Sequence, residues 1–80
     1  PPKGFDTNEE GYLVVDTEEY LAIRDALERI DDGESYRSVA GDTRFNRQTL
    51  SNLYDERSEW YLDADADDER VQDALEQVKL

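Results

Sequence analysis

Eighty residues make one domain, and folding at that size removes only ~60% of the chain's surface from water, so the core must be thin. The chain has no cysteine and no histidine, which excludes disulfide staples, an imidazole general base and most transition-metal chemistry. No apolar run approaches a membrane span or a signal peptide, and a formal net charge of -13 argues against a nucleic-acid partner unless that charge is unevenly placed.

The prolines at the start, Pro1 and Pro2, predict an extended segment, since the ring fixes φ and the residue before a proline avoids the helical region. Phe5 and the β-branched run Tyr12–Val15, separated by a polar stretch ending at Gly11, predict a short hairpin that must lie on helices through Phe5, Leu13 and Val15. Residues 1–15 are thus a hairpin or arm. Asp16 or Thr17 then N-caps a helix over 16–32, with Asp16 and Glu19 at capping-box spacing. Along it Tyr20, Ile23, Leu27 and Ile30 form one apolar stripe with Ala26 beside it, and Gly33 suits the left-handed position that ends it.

Ser35 is placed as the N-cap of a short helix from Tyr36 to about Gly41, with Tyr36, Val39 and Ala40 inward. A turn over Asp42–Phe45 leads to Asn46, the N-cap of a third helix whose Leu50, Leu53 and Tyr54 face the core; a break is expected near Arg57–Glu59. The aromatic run Trp60–Leu62 is expected to pack against the last helix. That helix spans roughly Asp67–Lys79 after an acidic linker, and its stripe of Val71, Ala74, Leu75 and Val78 needs a partner. The predicted fold is mostly α: a small helical domain with an N-terminal hairpin or arm, a helix-turn-helix over 35–57, and a linker and C-terminal helix over 63–80.

The charge is unevenly placed. Residues 1–34 hold 3 basic and 11 acidic groups, 35–57 hold 4 and 3, and 58–80 hold 2 and 8, giving net charges of -8, +1 and -6. Only the helix-turn-helix escapes the acidic coat. In this motif the second helix enters the major groove and the first crosses the backbone. Arg47 suits guanine, Gln48 suits adenine, and Ser51 and Asn52 reach the next step, so these four are the expected base readers. Ser35, Tyr36, Arg37, Thr43, Arg44 and Arg57 are the expected backbone contacts. A solvated helix face is the alternative reading of the four polar residues. Asp63, Asp65 and Asp67 match three positions of a calcium loop, but Asp68 and Ala74 stand where glycine and glutamate belong, so a hydrated linker is expected and no metal or cofactor.

Ser35–Tyr54, and especially Val39, Ala40, Arg47, Thr49 and Leu50, resembles the helix-turn-helix of the resolvase and invertase family of serine recombinases. Pro1–Phe5, Gly11–Asp16 and the Gly33-x-Ser35 step are similar to the segment that follows the catalytic domain there. The resemblance implies a grip on double-stranded DNA at a recombination site, with Lys3 and Gly4 matching the end of a minor-groove arm. It also implies that the nucleophilic serine lies in a preceding domain, since Ser35, Ser38, Ser51 and Ser58 match no such motif; enzyme activity is not expected of this chain. In this turn Arg44 stands where many helix-turn-helices place glycine, and Gly41 lies three residues earlier, which predicts a shifted or longer turn.

The aspartate-rich coat with only two lysines resembles proteins of salt-accumulating halophiles. At molar salt the Debye length is ~3 Å, and remote acidic faces hardly repel DNA. A cytoplasmic, membrane-free protein is expected. The alternatives are a stand-alone transcription regulator, and a protein-interaction module using the acidic flanks and the last helix. A second copy, met through the parent protein or that helix, is the other partner considered.

Overall fold

A computed structural model describes residues 1–78. Their elements are β1 (Phe5–Thr7), β2 (Leu13–Val15), α1 (Thr17–Asp31), α2 (Tyr36–Asp42), α3 (Arg47–Leu62) and α4 (Glu69–Leu75). The domain is mostly α, with a two-stranded antiparallel hairpin that pairs Phe5 with Val15 and Thr7 with Leu13. Asn8 builds the hairpin loop: its side-chain oxygen accepts from the N–H groups of Glu10 and Tyr12, both at 3.0 Å. No helix among the described residues is long and apolar enough to cross a membrane.

The local signals act where they were read. Asp16 caps α1 by accepting from the Glu19 N–H at 3.3 Å. Gly33, at φ +105°, closes α1 with paired bonds from its own N–H to Ile30 O and from Glu34 N–H to Arg29 O, the two bonds of a Schellman end. Tyr20, Ile23, Ala26 and Leu27 are buried along the expected stripe, and they meet Val39 of α2 and Leu50 and Leu53 of α3 in one core. The expected break in α3 is a departure from helical angles at Arg57, φ -140° and ψ 21°.

Two expectations need correction. The Pro1–Gly4 segment is not an extended arm: Phe5 N–H donates to Pro2 O at 3.0 Å, which closes a turn with Gly4 at φ +84°. Gly4 is buried against α1 and α3. A Cβ there would lie 3.3 Å from the Tyr20 Cα and 3.4 Å from Tyr61 Cε1. Its N–H donates to Glu19 Oε1 at 2.6 Å and its carbonyl accepts from Asp16 N–H at 2.9 Å, so Glu19 ties the turn down instead of completing a capping box.

The aromatic run meets the hairpin and α1 through its rings, and it shares one core with the last helix. Phe5 stands edge-on to Tyr20 and Trp60, and Tyr20 lies 5.3 Å from Tyr61 between ring centres. Finally, α4 is shorter than expected. Asp68 caps it by accepting from Arg70 N–H, and after Leu75 the chain tightens into a turn in which Val78 N–H bonds Leu75 O; the expected end at Lys79 lies outside the described residues. Val71, Ala74 and Leu75 are buried, and α4 packs chiefly on β2, so the hairpin is the partner its stripe required.

Candidate nucleic-acid interface

The helix-turn-helix is assembled from its caps. Ser35 Oγ accepts from Ser38 N–H at 3.0 Å at the head of α2, and Asn46 Oδ1 accepts from Thr49 N–H at 2.7 Å at the head of α3. No residue from Thr43 to Asn46 has a positive φ, so the turn needs no glycine and Arg44 fits it without strain. Gly41 lies inside α2 and takes no part in the turn. Arg29 of α1 anchors the unit: its guanidinium donates to Glu34 at 2.7 and 2.8 Å and to Asp42, the last residue of α2, at 2.7 Å. The bonds from Arg29 to Glu34 hold the Glu34 carboxyl below the usual glutamate range. From the other end Tyr54 donates to Asp31 Oδ1 at 2.7 Å, and that bond pushes the Tyr54 phenol upward, with burial adding to it.

With α3 fixed by Leu50 and Leu53, the 3.6-residue period decides what faces outward. Gln48, Asn52 and Asp55 lie along the outer stripe; Arg47 and Ser51 fall on the flank toward α2, and Thr49 and Glu56 on the opposite flank. Arg47, Gln48 and Asn52 are exposed, whereas Ser51 is half-buried. Gln48 Nε2 donates to Asn52 Oδ1 at 3.0 Å, and Ser51 Oγ approaches Asp55 at 3.4 Å. The four expected base readers therefore share the first two turns of α3, which carry no acid.

Toward α2, Tyr36, Arg47, Gln48 and Ser51 line a shallow depression, and Arg37, Arg44 and Arg47 line a second one along the turn. The Arg44 guanidinium sits 5.5 Å from the Phe45 ring centre, which props it at the edge of this surface. Burial raises the Tyr36 phenol, with Asp55 adding to the shift. Ser35 is exposed at the same end of α2, and its hydroxyl hydrogen remains available for an anion.

Thr43 does not belong among the backbone contacts. Its hydroxyl donates to Val39 O at 2.8 Å and receives the Phe45 N–H at 3.4 Å, so it holds the turn together from within. Gly4, buried and bonded at both backbone groups, is likewise no minor-groove contact. Lys3, by contrast, is exposed and borders a cleft with Thr49, Asn52, Leu53, Glu56 and Arg57. Arg57 lies 4.8 Å over the Trp60 ring. Sequence reasoning did not place Lys3 beside α3, because the contact that puts it there, Tyr61 O–H to Lys3 O at 2.6 Å, spans 58 positions.

The pairing of charges separates this surface from the rest. Arg24, Arg29 and Arg70 are in ion pairs with carboxylates. Lys3, Arg37, Arg44, Arg47 and Arg57 have no carboxylate within ion-pair distance among the described residues, and all five border α2, the turn or α3. Beyond Arg44 the surface turns acidic, with Glu18, Asp25, Glu28 and Asp32 around a groove on α1. Among the described residues no group of three acidic, histidine or cysteine side chains is gathered to hold a metal ion. Comparison with protein-family models, curated proteins and solved structures finds no match to the chain.

Proposed function

We propose that this chain is a helix-turn-helix domain that binds double-stranded DNA sequence-specifically, with α3 in the major groove. The observation that carries the reading is the segregation of lysine and arginine side chains: among the described residues, those left without acidic partners border the helix-turn-helix, while the others are paired. Phosphate binding needs lysine and arginine to displace counterions, and a cation with no neighbouring carboxylate gives up no ion pair to do so. Arg47, Gln48, Ser51 and Asn52 supply donors and acceptors for base edges, and Arg37, Arg44, Arg57, Ser35 and Tyr36 supply backbone contacts.

The sequence resemblance supports a narrower role, the non-catalytic DNA-binding part of a resolvase-like serine recombinase. An acidic coat with few lysines supports work at high salt. Against a protein-interaction module stands the fate of the α4 stripe, which is spent inside the fold. Selection of bound sequences from a random duplex pool at molar salt tests the reading: a recovered consensus supports it, and recovery of random sequence contradicts it. Reading the codons upstream of this segment tests the narrower role, since a recombinase needs a catalytic domain there.

A further inference from the structure

The turn that carries Lys3 is held on every side. Phe5 N–H closes it onto Pro2 O, Gly4 is bonded to Glu19 and Asp16, and Tyr61 donates to the Lys3 carbonyl at 2.6 Å. The backbone on both sides of the Lys3 side chain is therefore fixed to α1 and α3. Lys3 thereby lines a cleft with Thr49, Asn52 and Arg57 on the flank of α3 that faces away from α2. Arg57 is stacked on Trp60, with no carboxylate at ion-pair distance among the described residues.

We propose that this cleft seats a phosphodiester group of the DNA strand opposite the one held by Arg37 and Arg44, so that α3 lies between two backbones; this rests on the DNA-binding reading above. The ligand chemistry follows from the lining. Two cations face one acid, Glu56, which leaves the cleft positive, and the Thr49 hydroxyl and Asn52 amide add hydrogen-bond donors. The geometry follows from the groove. A helix with its side chains is ~10–12 Å across and the major groove is ~12 Å wide, so groups on opposite flanks of an inserted helix meet opposite strands. Arg44 and Arg37 stand on one flank and Lys3 and Arg57 on the other. The N-terminal turn thus acts as a fixed prop on the backbone beside the groove that α3 reads.

The test uses the full chain on a duplex containing its selected site. The slope of log affinity against log salt is measured for wild type, Lys3→Ala, Lys3→Arg and Arg44→Ala, and single phosphates are neutralised one at a time as methylphosphonates. Lys3→Ala is expected to flatten the slope by about 0.9 without altering the consensus, and Lys3→Arg to retain it. The phosphate whose neutralisation no longer matters in Lys3→Ala is expected on the strand opposite the one silenced by Arg44→Ala. An unchanged slope and phosphate pattern in Lys3→Ala, or both silenced phosphates on one strand, overturns this proposal while leaving the domain a DNA binder. A wild-type chain that binds no duplex overturns both.

Discussion

Arg29 reaches from α1 to Asp42 at the end of α2, Nη2 to Oδ2 at 2.7 Å, while the same guanidinium grips Glu34 before α2 begins. One side chain thus holds both ends of the first helix of the helix-turn-helix against the helix that supports it. Glu34 is held below the usual glutamate range chiefly by its hydrogen bond from Arg29. A depressed folded-state value means that its stabilisation is present above the ordinary glutamate value and is lost as pH falls through the folded one. Glu34→Gln is expected to lower the melting temperature at neutral pH and to converge with wild type in acid; thermal melts across that range check it. Parallel curves would contradict the role.

Gly4 and Gly11 share a left-handed backbone, φ +84° and +88°, yet differ in surroundings. A Cβ on Gly11 meets nothing within 4 Å, whereas one on Gly4 meets the Tyr20 backbone at 3.3 Å. Gly11→Ala is expected to cost about 1–2 kcal/mol, the left-handed penalty alone. Gly4→Ala is expected to cost more, because the turn must also move off α1. Urea denaturation of the two variants measures the difference, and equal losses would contradict the close packing.

Burial pushes the Tyr61 phenol well above the ordinary tyrosine value of 10.0. A raised folded-state value means that its stabilisation is complete below that ordinary value and is lost as pH rises from there through the folded one. Tyr61→Phe is expected to flatten the alkaline fall in stability. At neutral pH it is expected to lose about 0.5–1.5 kcal/mol with the bond to Lys3. Denaturation at neutral and alkaline pH reads both parts.

Gln48 and Asn52 are joined by a hydrogen bond of 3.0 Å, which orients both amides on the exposed face of α3. Gln48→Ala and Asn52→Ala are each expected to reduce discrimination between cognate and mismatched duplex by about 1–3 kcal/mol. The double variant is expected to lose less than the sum, because each single change already disturbs the partner. Full additivity would show that the two residues read independently.

What could be read in the sequence were the features whose causes lie within a few residues. Asp16, Ser35 and Asn46 cap their helices, Gly33 ends α1, and the Tyr20–Leu27 stripe is buried because period and local hydrogen bonding decide those outcomes. Features settled by distant partners were not legible. Glu19 sits at a capping-box position but bonds Gly4 instead, since folding brings the buried turn within its reach. The hydroxyl of Thr43 looks free for phosphate until the end of α2 turns Val39 O toward it. The position of Lys3 depends on Tyr61, and no motif links residues so far apart. The partner of α4 was equally hidden, because an apolar stripe does not name the surface that covers it.

The most direct test of the central claim is amide NMR of the labelled chain titrated with its selected duplex at molar salt. If α3 reads the major groove, the signals of Arg47, Gln48, Ser51 and Asn52 shift with cognate duplex and far less with a scrambled one, while those of the acidic groove around Asp25 and Glu28 stay in place. Unmoved signals along the start of α3, or shifts confined to that acidic groove, would contradict the claim.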